Sequence, residues 1–144
     1  MTLWNNRLRR SPVGQKRRIA VQHEAQQVKT LEGTKDRLGL FQLHHVDFLH
    51  TGTPWRDTGT LKAGQPDYFL MGDGPNGPWS AFLEIKARNL ETGKLGRMQA
   101  NQYAYHDKLR ERGHEVWTAW LPDDLQAINL WLRAKTGIVV EIEL

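Results

Sequence analysis

The chain has no cysteine among its 144 residues. This absence excludes disulfides, thiolate zinc sites and a cysteine nucleophile, and it suits a reducing compartment. Long apolar runs are also missing, so no segment is expected to span a membrane, and the basic amino terminus lacks the apolar stretch of a signal peptide. The sequence therefore predicts a cytoplasmic protein with no membrane partner.

Acidic residues are absent from Met1–Arg18. Pro12 and Gly14 argue against one continuous helix there, so the segment is interpreted as a basic arm ahead of a single domain, Ile19–Leu144. It is either a solvated terminus or an arm that neutralises phosphates, which agrees with the net charge of +4. Its candidate phosphate contacts are Arg7, Arg9, Arg10, Lys16, Arg17 and Arg18.

Hydrophobic periodicity and turn residues predict an α/β fold in which a mixed central sheet is flanked by helices. Alternating or apolar runs predict strands at Leu40–Leu49, Asp67–Met71, Trp79–Ala87, Val116–Leu121 and Ile138–Leu144. Helical spacing predicts helices at Ile19–Leu38 and at Arg97–Arg112. A further helix is predicted to start at Pro122-Asp123-Asp124, since Asp is a strong N-cap, and to run to about Lys135. The helix at Arg97–Arg112 would form a parallel crossover.

The stretch Gly64–Ala87 holds the residues best suited to chemistry. The turn residues of Gly72–Pro78 predict an antiparallel hairpin that brings Asp67 near Glu84. Because side chains alternate along a strand, Glu84 and Lys86 project to one face. Two carboxylates and the backbone carbonyl of Ile85 could hold Mg²⁺ or Mn²⁺, and Lys86 could orient or help deprotonate a water.

Histidines and a cation-bearing loop offer weaker candidates. Adjacent His44 and His45 would point to opposite faces of a strand, so surface placement or substrate contact is favoured over a histidine-ligated metal. The loop Thr51–Lys62 carries Trp55, Arg56 and Lys62. It could contact nucleic acid by stacking and charge, or it could be an ordinary connection.

Pro66-Asp67 followed by Glu84-Ile85-Lys86 matches the PD-(D/E)xK nuclease signature. The longer pattern, G-x-P-D, an apolar strand ending E-x-K-A, then Gly-Lys-Leu and a glutamine-bearing helix, resembles the VRR-NUC branch of that superfamily over roughly residues 22–121. The resemblance implies a restriction-endonuclease-like core. It also implies a glutamine at the active site, either Gln99 or Gln102 with Gln102 preferred, and a glutamate on the first helix, for which Glu24 is the candidate.

This resemblance to small phage and bacterial proteins implies a metal-dependent DNA endonuclease acting on branched DNA such as Holliday junctions. Symmetric cutting implies a homodimer, in a bacterial or phage-infected cell. No dimer face is evident, and core burial is favoured for Trp117, Trp120 and Trp131. The alternatives are a nicking, restriction-type or RNA nuclease, and a catalytically silent nucleic-acid-binding module.

Overall fold

The structure is a computed structural model that describes residues 26, 28–51 and 64–142. The predicted basic arm, Glu24, Arg56 and Lys62 lie outside these residues. Within the described ranges, a four-stranded mixed sheet has the strand order β1-β2-β3-β4. Its strands are β1 (Asp47–His50), β2 (Tyr68–Gly74), β3 (Gly77–Ala87) and β4 (Val116–Leu121).

In the described part of the chain, the sheet is accompanied by the helices α1 (Leu40–Leu43), α2 (Ala100–Glu111) and α3 (Leu125–Thr136). Residues 28–32 add a helical segment ahead of α1. β1 pairs with β2 and β2 with β3 in antiparallel fashion, whereas β3 and β4 are parallel. The predicted α/β class, mixed sheet and parallel crossover through α2 are therefore confirmed.

The hairpin of β2 and β3 is also confirmed, with a tighter turn than predicted. Only Pro75 and Asn76 separate the strands, and Gly74 pairs with Gly77, which adopts a φ of 108° that favours glycine. Both strands therefore run further towards the turn than the sequence indicated. The register places Tyr68 opposite Leu83, so the residues just beyond this pair, Asp67 and Glu84, are neighbours.

The two faces of the sheet are covered by different helices. Leu83 and Ile85 of β3 belong to the main core, which α3 completes with Leu125, Ile128 and Leu132. Because side chains alternate along a strand, Glu84 and Lys86 project to the opposite face. There they meet α2 through hydrogen bonds with Gln102. The candidate site thus lies between the sheet and α2.

The predicted strand Leu40–Leu49 is wrong over its first half. Leu40, Phe41 and His44 are buried, which is a helical spacing rather than a strand alternation, and Leu40–Leu43 forms α1. Gln42 Oε1 accepts from the Gly39 N–H at 2.8 Å and thereby supports the helix start. Only Asp47–His50 is a strand.

The first predicted helix extends too far. Its described part ends at residue 32, because Gly33 takes a φ of 85°. A side chain on Gly33 would place Cβ 2.6 Å from the Gly39 nitrogen, so the chain turns sharply where glycine permits it. Gly33 therefore ends the helix, before the predicted end at Leu38.

The predicted last strand is wrong, whereas the predicted aspartate N-cap is confirmed in position but makes no side-chain cap hydrogen bond. Residues 138–142 form no strand. Instead, Asn129 on α3 donates its side-chain N–H to the Val140 carbonyl at 2.7 Å, and Val140 and Ile142 pack on the core. Asp124 occupies the N-cap position of α3, but its Oδ2 accepts from the Trp120 N–H at 2.8 Å. It therefore fastens α3 to β4.

The tryptophans contact other parts of the chain. Trp117 and Trp131 make an edge-to-face pair with ring centroids 5.0 Å apart and pack against the core. Trp120 donates its ring N–H to the Gly96 carbonyl at 2.7 Å. No helix in the described ranges combines the length and apolarity that crossing a bilayer requires.

Asn129 provides a test of this packing. It accepts from the buried His44 Nε2 at 2.7 Å and donates to Val140. Asn129→Ala removes the partner of two groups, and we expect it to lower the free energy of unfolding by about 3 kcal/mol. Urea denaturation measures this change.

Gln126→Ala, an exposed change on the same helix, is the control and should lower the free energy of unfolding by less than about 0.5 kcal/mol. Equal effects would contradict the bridging role of Asn129.

Candidate active site

The Gly64–Asp67 segment is held between α2 and β1. Gly64 adopts a φ of 93°, and a Cβ there would come 2.3 Å from the Asn101 carbonyl oxygen, so glycine is required for this approach to α2. Gln65 donates to the Tyr105 hydroxyl at 3.3 Å. On the other side, Thr51 donates its N–H to the Asp67 carbonyl at 2.7 Å. These contacts fix the backbone that carries Asp67.

Asp67 is bound to β3 by its side chain. β2 begins at Tyr68, so the next N–H along β3, that of Ile85, has no backbone partner on β2 in the described ladder. Asp67 Oδ2 accepts from that N–H at 2.8 Å. Because the N–H and carbonyl of one strand residue point to the same side, the Ile85 carbonyl faces Asp67 too. The predicted backbone ligand is therefore oriented towards the predicted carboxylates.

Glu84 is a buried carboxyl group, with a relative exposure of 1%. Burial raises its pKa, and a hydrogen bond and the negative charge of Asp67 raise it further, to about 9, against the lowering effect of Lys86. Without a cation, the carboxyl of Glu84 is therefore protonated at neutral pH. Two neighbouring carboxylates repel each other, so one of them stays protonated. A bound cation would offset this repulsion and stabilise the ionised form of both.

Gln102 connects the two charged residues of β3. Its Oε1 accepts from Lys86 Nζ at 2.9 Å and from the Gln99 N–H at 2.8 Å, while its Nε2 donates to Glu84 Oε1 at 2.7 Å. Two donors on Oε1 determine the orientation of the amide. The structure thus brings Gln102 to Glu84 and Lys86. Gln99 instead lies at the helix start as the N-cap residue of α2.

His106 is a residue that the sequence analysis missed. It lies one turn after Gln102, it is 1% exposed, and its Nε2 is 4.0 Å from Glu84 Oε1. Burial, followed by the charges of Arg110 and Lys86, lowers its pKa. The spacing of four between Gln102 and His106 was visible and places both on one helix face, so it could have indicated this residue.

His44, His45 and His50 do not join this site. His44 is buried and hydrogen-bonded to Asn129, so its predicted surface placement is wrong, whereas His45 is exposed as predicted. Both lie in the turn after α1 and not on a strand. His50 Nδ1 lies 3.0 Å from Glu32, and its ring stacks on Tyr68 at 4.6 Å. Among the described residues, no group of three or more His, Cys, Asp or Glu side chains could hold a metal.

The donor set of the described site nevertheless fits a divalent cation with oxygen ligands. Asp67 and Glu84 supply two carboxyl groups, and the Ile85 carbonyl points to the same side. Magnesium is commonly held by one or two carboxylates and keeps several waters. The third predicted carboxylate, Glu24, lies outside the described residues.

Searches of protein-family models, of curated proteins and of solved structures each found no match to this chain. The fold class and the geometry around Glu84 therefore come from this chain alone, and the VRR-NUC resemblance stays a prediction.

The protonated carboxyl of Glu84 predicts an unusual pH dependence. In the unfolded chain its pKa returns from about 9 towards the ordinary 4.5, so between these values the folded state holds the extra proton. Stability from Glu84 is thus complete below pH 4.5 and is lost as the pH rises through 9, by up to about 1.4 kcal/mol per pH unit.

Denaturation at several pH values, in the presence of chelator, measures this loss as the difference between the parent and Glu84→Gln. The glutamine keeps an acceptor for Gln102 but cannot titrate. We expect the stability of the parent relative to Glu84→Gln to fall from pH 5 to pH 9. A difference that is constant over this range would contradict the raised pKa.

Proposed function

We propose that the protein is a divalent-metal-dependent nuclease that hydrolyses phosphodiester bonds in DNA. One observation carries the proposal: Asp67, Glu84, Lys86 and Gln102 lie together beside the end of a single strand hairpin. They are joined by side-chain hydrogen bonds and by the Asp67–Ile85 contact. This is the set of residue types that the PD-(D/E)xK signature predicts from the sequence, and it supports a restriction-endonuclease-like core of the VRR-NUC kind.

A divalent cation bound here would polarise the phosphoryl group, activate a water and neutralise the leaving oxygen. The protein's own groups prepare this chemistry. Asp67 is oriented by the Ile85 N–H, so one carboxylate oxygen is fixed in the sheet and the other is available as a ligand. Glu84 gives up its proton when the cation binds, because the positive charge favours the ionised carboxylate.

Lys86 supplies a positive charge next to these carboxylates. Its ammonium is held by Gln102 Oε1 at 2.9 Å, which keeps it on the same face as Glu84. In this position it stabilises negative charge that develops on the phosphoryl oxygens and orients the attacking water. Gln102 contributes by fixing the distance between Lys86 and Glu84.

The substrate that we propose is branched DNA such as a four-way junction, and the active form is a homodimer. Paired, symmetric cuts in a junction need two active sites, which a two-fold dimer provides. The net charge of +4 favours a polyanionic ligand. We assign phosphate contacts to the cations of the basic arm Met1–Arg18 and to Arg56 and Lys62.

Cleavage of linear, forked and four-way DNA in Mg²⁺, in Mn²⁺ and in chelator tests the proposal. We expect paired cuts in the four-way junction, with chelator abolishing them. Asp67→Asn and Lys86→Ala should each lower the rate at least about 100-fold, because each removes charge from the reacting centre.

Two matched controls separate chemistry from folding. Asp73→Asn makes the same change at an exposed position of β2, the strand that Asp67 precedes, and Lys135→Ala removes a lysine that is paired with Glu115. Both should cut at the parental rate. Cutting that resists chelator, or full activity in Asp67→Asn, would refute the metal mechanism. Binding without cutting in every metal would indicate a silent module, and equal cutting of all DNAs would remove the structure selectivity.

A further inference from the structure

The His106 side chain is buried beside the site without a hydrogen-bond partner. Its relative exposure is 1%, and neither ring nitrogen makes a hydrogen bond with any residue that the structure describes. Glu84 Oε1 lies 4.0 Å from His106 Nε2. His44 provides a contrast, since it is equally buried but is bonded to Asn129 at 2.7 Å.

A purely structural role explains His106 poorly. A polar group that is buried without a partner is destabilising, and an apolar side chain of similar size would avoid that cost. An imidazole has at least one ring N–H in either protonation state, so it can donate a hydrogen bond whenever an acceptor approaches. One acceptor within a short movement is Glu84 Oε1, a carboxyl oxygen of a proposed metal ligand. His106 is therefore placed to donate a hydrogen bond to Glu84 in a state other than the one in this structure, such as the cation-bound state.

We propose that His106 is a positioning residue that donates its Nε2–H to Glu84 Oε1 when Glu84 is bound to a divalent cation. The inference rests on the proposed function. An approach of about 1 Å would bring the 4.0 Å separation to hydrogen-bond length. Histidine in this role orients the ligand from behind, as partners of metal-bound carboxylates do.

The same geometry assigns the two oxygens of Glu84 to different partners. Oε1 already accepts from Gln102 Nε2 at 2.7 Å, and a carboxylate oxygen has two lone pairs. Gln102 and His106 together saturate Oε1 from the side of α2. Oε2 then remains for the cation, so Glu84 binds it through one oxygen only.

The Mn²⁺ dissociation constant, measured from the electron paramagnetic resonance signal of free Mn²⁺, tests this role without any DNA. We expect His106→Phe, which fills the space but has no N–H, to weaken Mn²⁺ binding at least about tenfold. His106→Gln carries a donor at a similar reach and should restore binding to within about threefold of the parent. His44→Phe removes an equally buried histidine and should leave Mn²⁺ affinity unchanged even where it lowers the Tm.

Parental affinity in His106→Phe would overturn the proposal for His106 while leaving the metal site intact. Loss of affinity in both His106→Phe and His106→Gln would also overturn it, because packing rather than the donor would then be responsible. If the parent itself bound no Mn²⁺, the proposed function would fail, and the role of His106 with it. The two failures are therefore distinguishable.

A measurement on the unaltered protein guards against variants that do not fold. In ¹⁵N-detected NMR spectra of the histidine rings, adding Mg²⁺ should move the His106 Nε2 resonance to the position of a hydrogen-bonded N–H. The His44 signals in the same spectrum should stay where they are. A His106 signal that does not respond to saturating Mg²⁺ would contradict the proposed contact.

Discussion

The hydrogen bond from the Ile85 N–H to Asp67 Oδ2 is the contact on which the site depends. It replaces a backbone bond at the point where β2 begins, and it holds one carboxyl group against the strand that carries another. Because Glu84 is buried beside Asp67, its pKa is raised to about 9 and its proton is retained. The hairpin thus brings together two carboxylates that repel each other when both are ionised, and a bound cation would reduce this repulsion.

The rest of the fold holds Asp67 and Glu84 in these positions. α3 and the core hold the other face of β3, so Glu84 and Lys86 can only project towards α2. Gln102 bonds to both of them, and Gly64 lets the segment before Asp67 approach the start of α2. The chain runs from β3 through α2 to β4, which is parallel to β3. The site depends on this crossover because it places α2 over the face that carries Glu84 and Lys86. The parallel pairing of β3 and β4 belongs to the topology of the sheet, and the sequence pattern of Asp67, Glu84 and Lys86 does not encode it.

The parts of the fold that the sequence predicted are those encoded by local signals. The turn residues of Gly72–Pro78 predicted the hairpin, and side-chain alternation predicted that Glu84 and Lys86 share one face. β4 was predicted with its observed bounds, Val116–Leu121, because its apolar run is short and sits between turn signals. Asp67 and Glu84 came together as expected for the same reason.

The errors arose where tertiary contacts outweighed local preference. The apolar residues Leu40–Leu43 suit a strand or a helix, and burial of Phe41 and His44 on one side decided for the helix. Residues 138–142 alternate like a strand, yet they form none, and the Val140 carbonyl accepts a hydrogen bond from the Asn129 side chain. His106 was not predicted as a site residue because it approaches the site only through Glu84, which is distant in sequence and close only in the folded chain.

The central claim is that the carboxyl pair of Asp67 and Glu84 exchanges a proton for a divalent cation. Isothermal titration calorimetry with Mg²⁺ at pH 7, repeated in buffers of different ionisation enthalpy, counts the protons released on binding. The account predicts release of about one proton per bound Mg²⁺, because the pKa of Glu84 is about 9 before binding, and loss of this release in Glu84→Gln. Binding without proton release, or no binding of Mg²⁺, would contradict it.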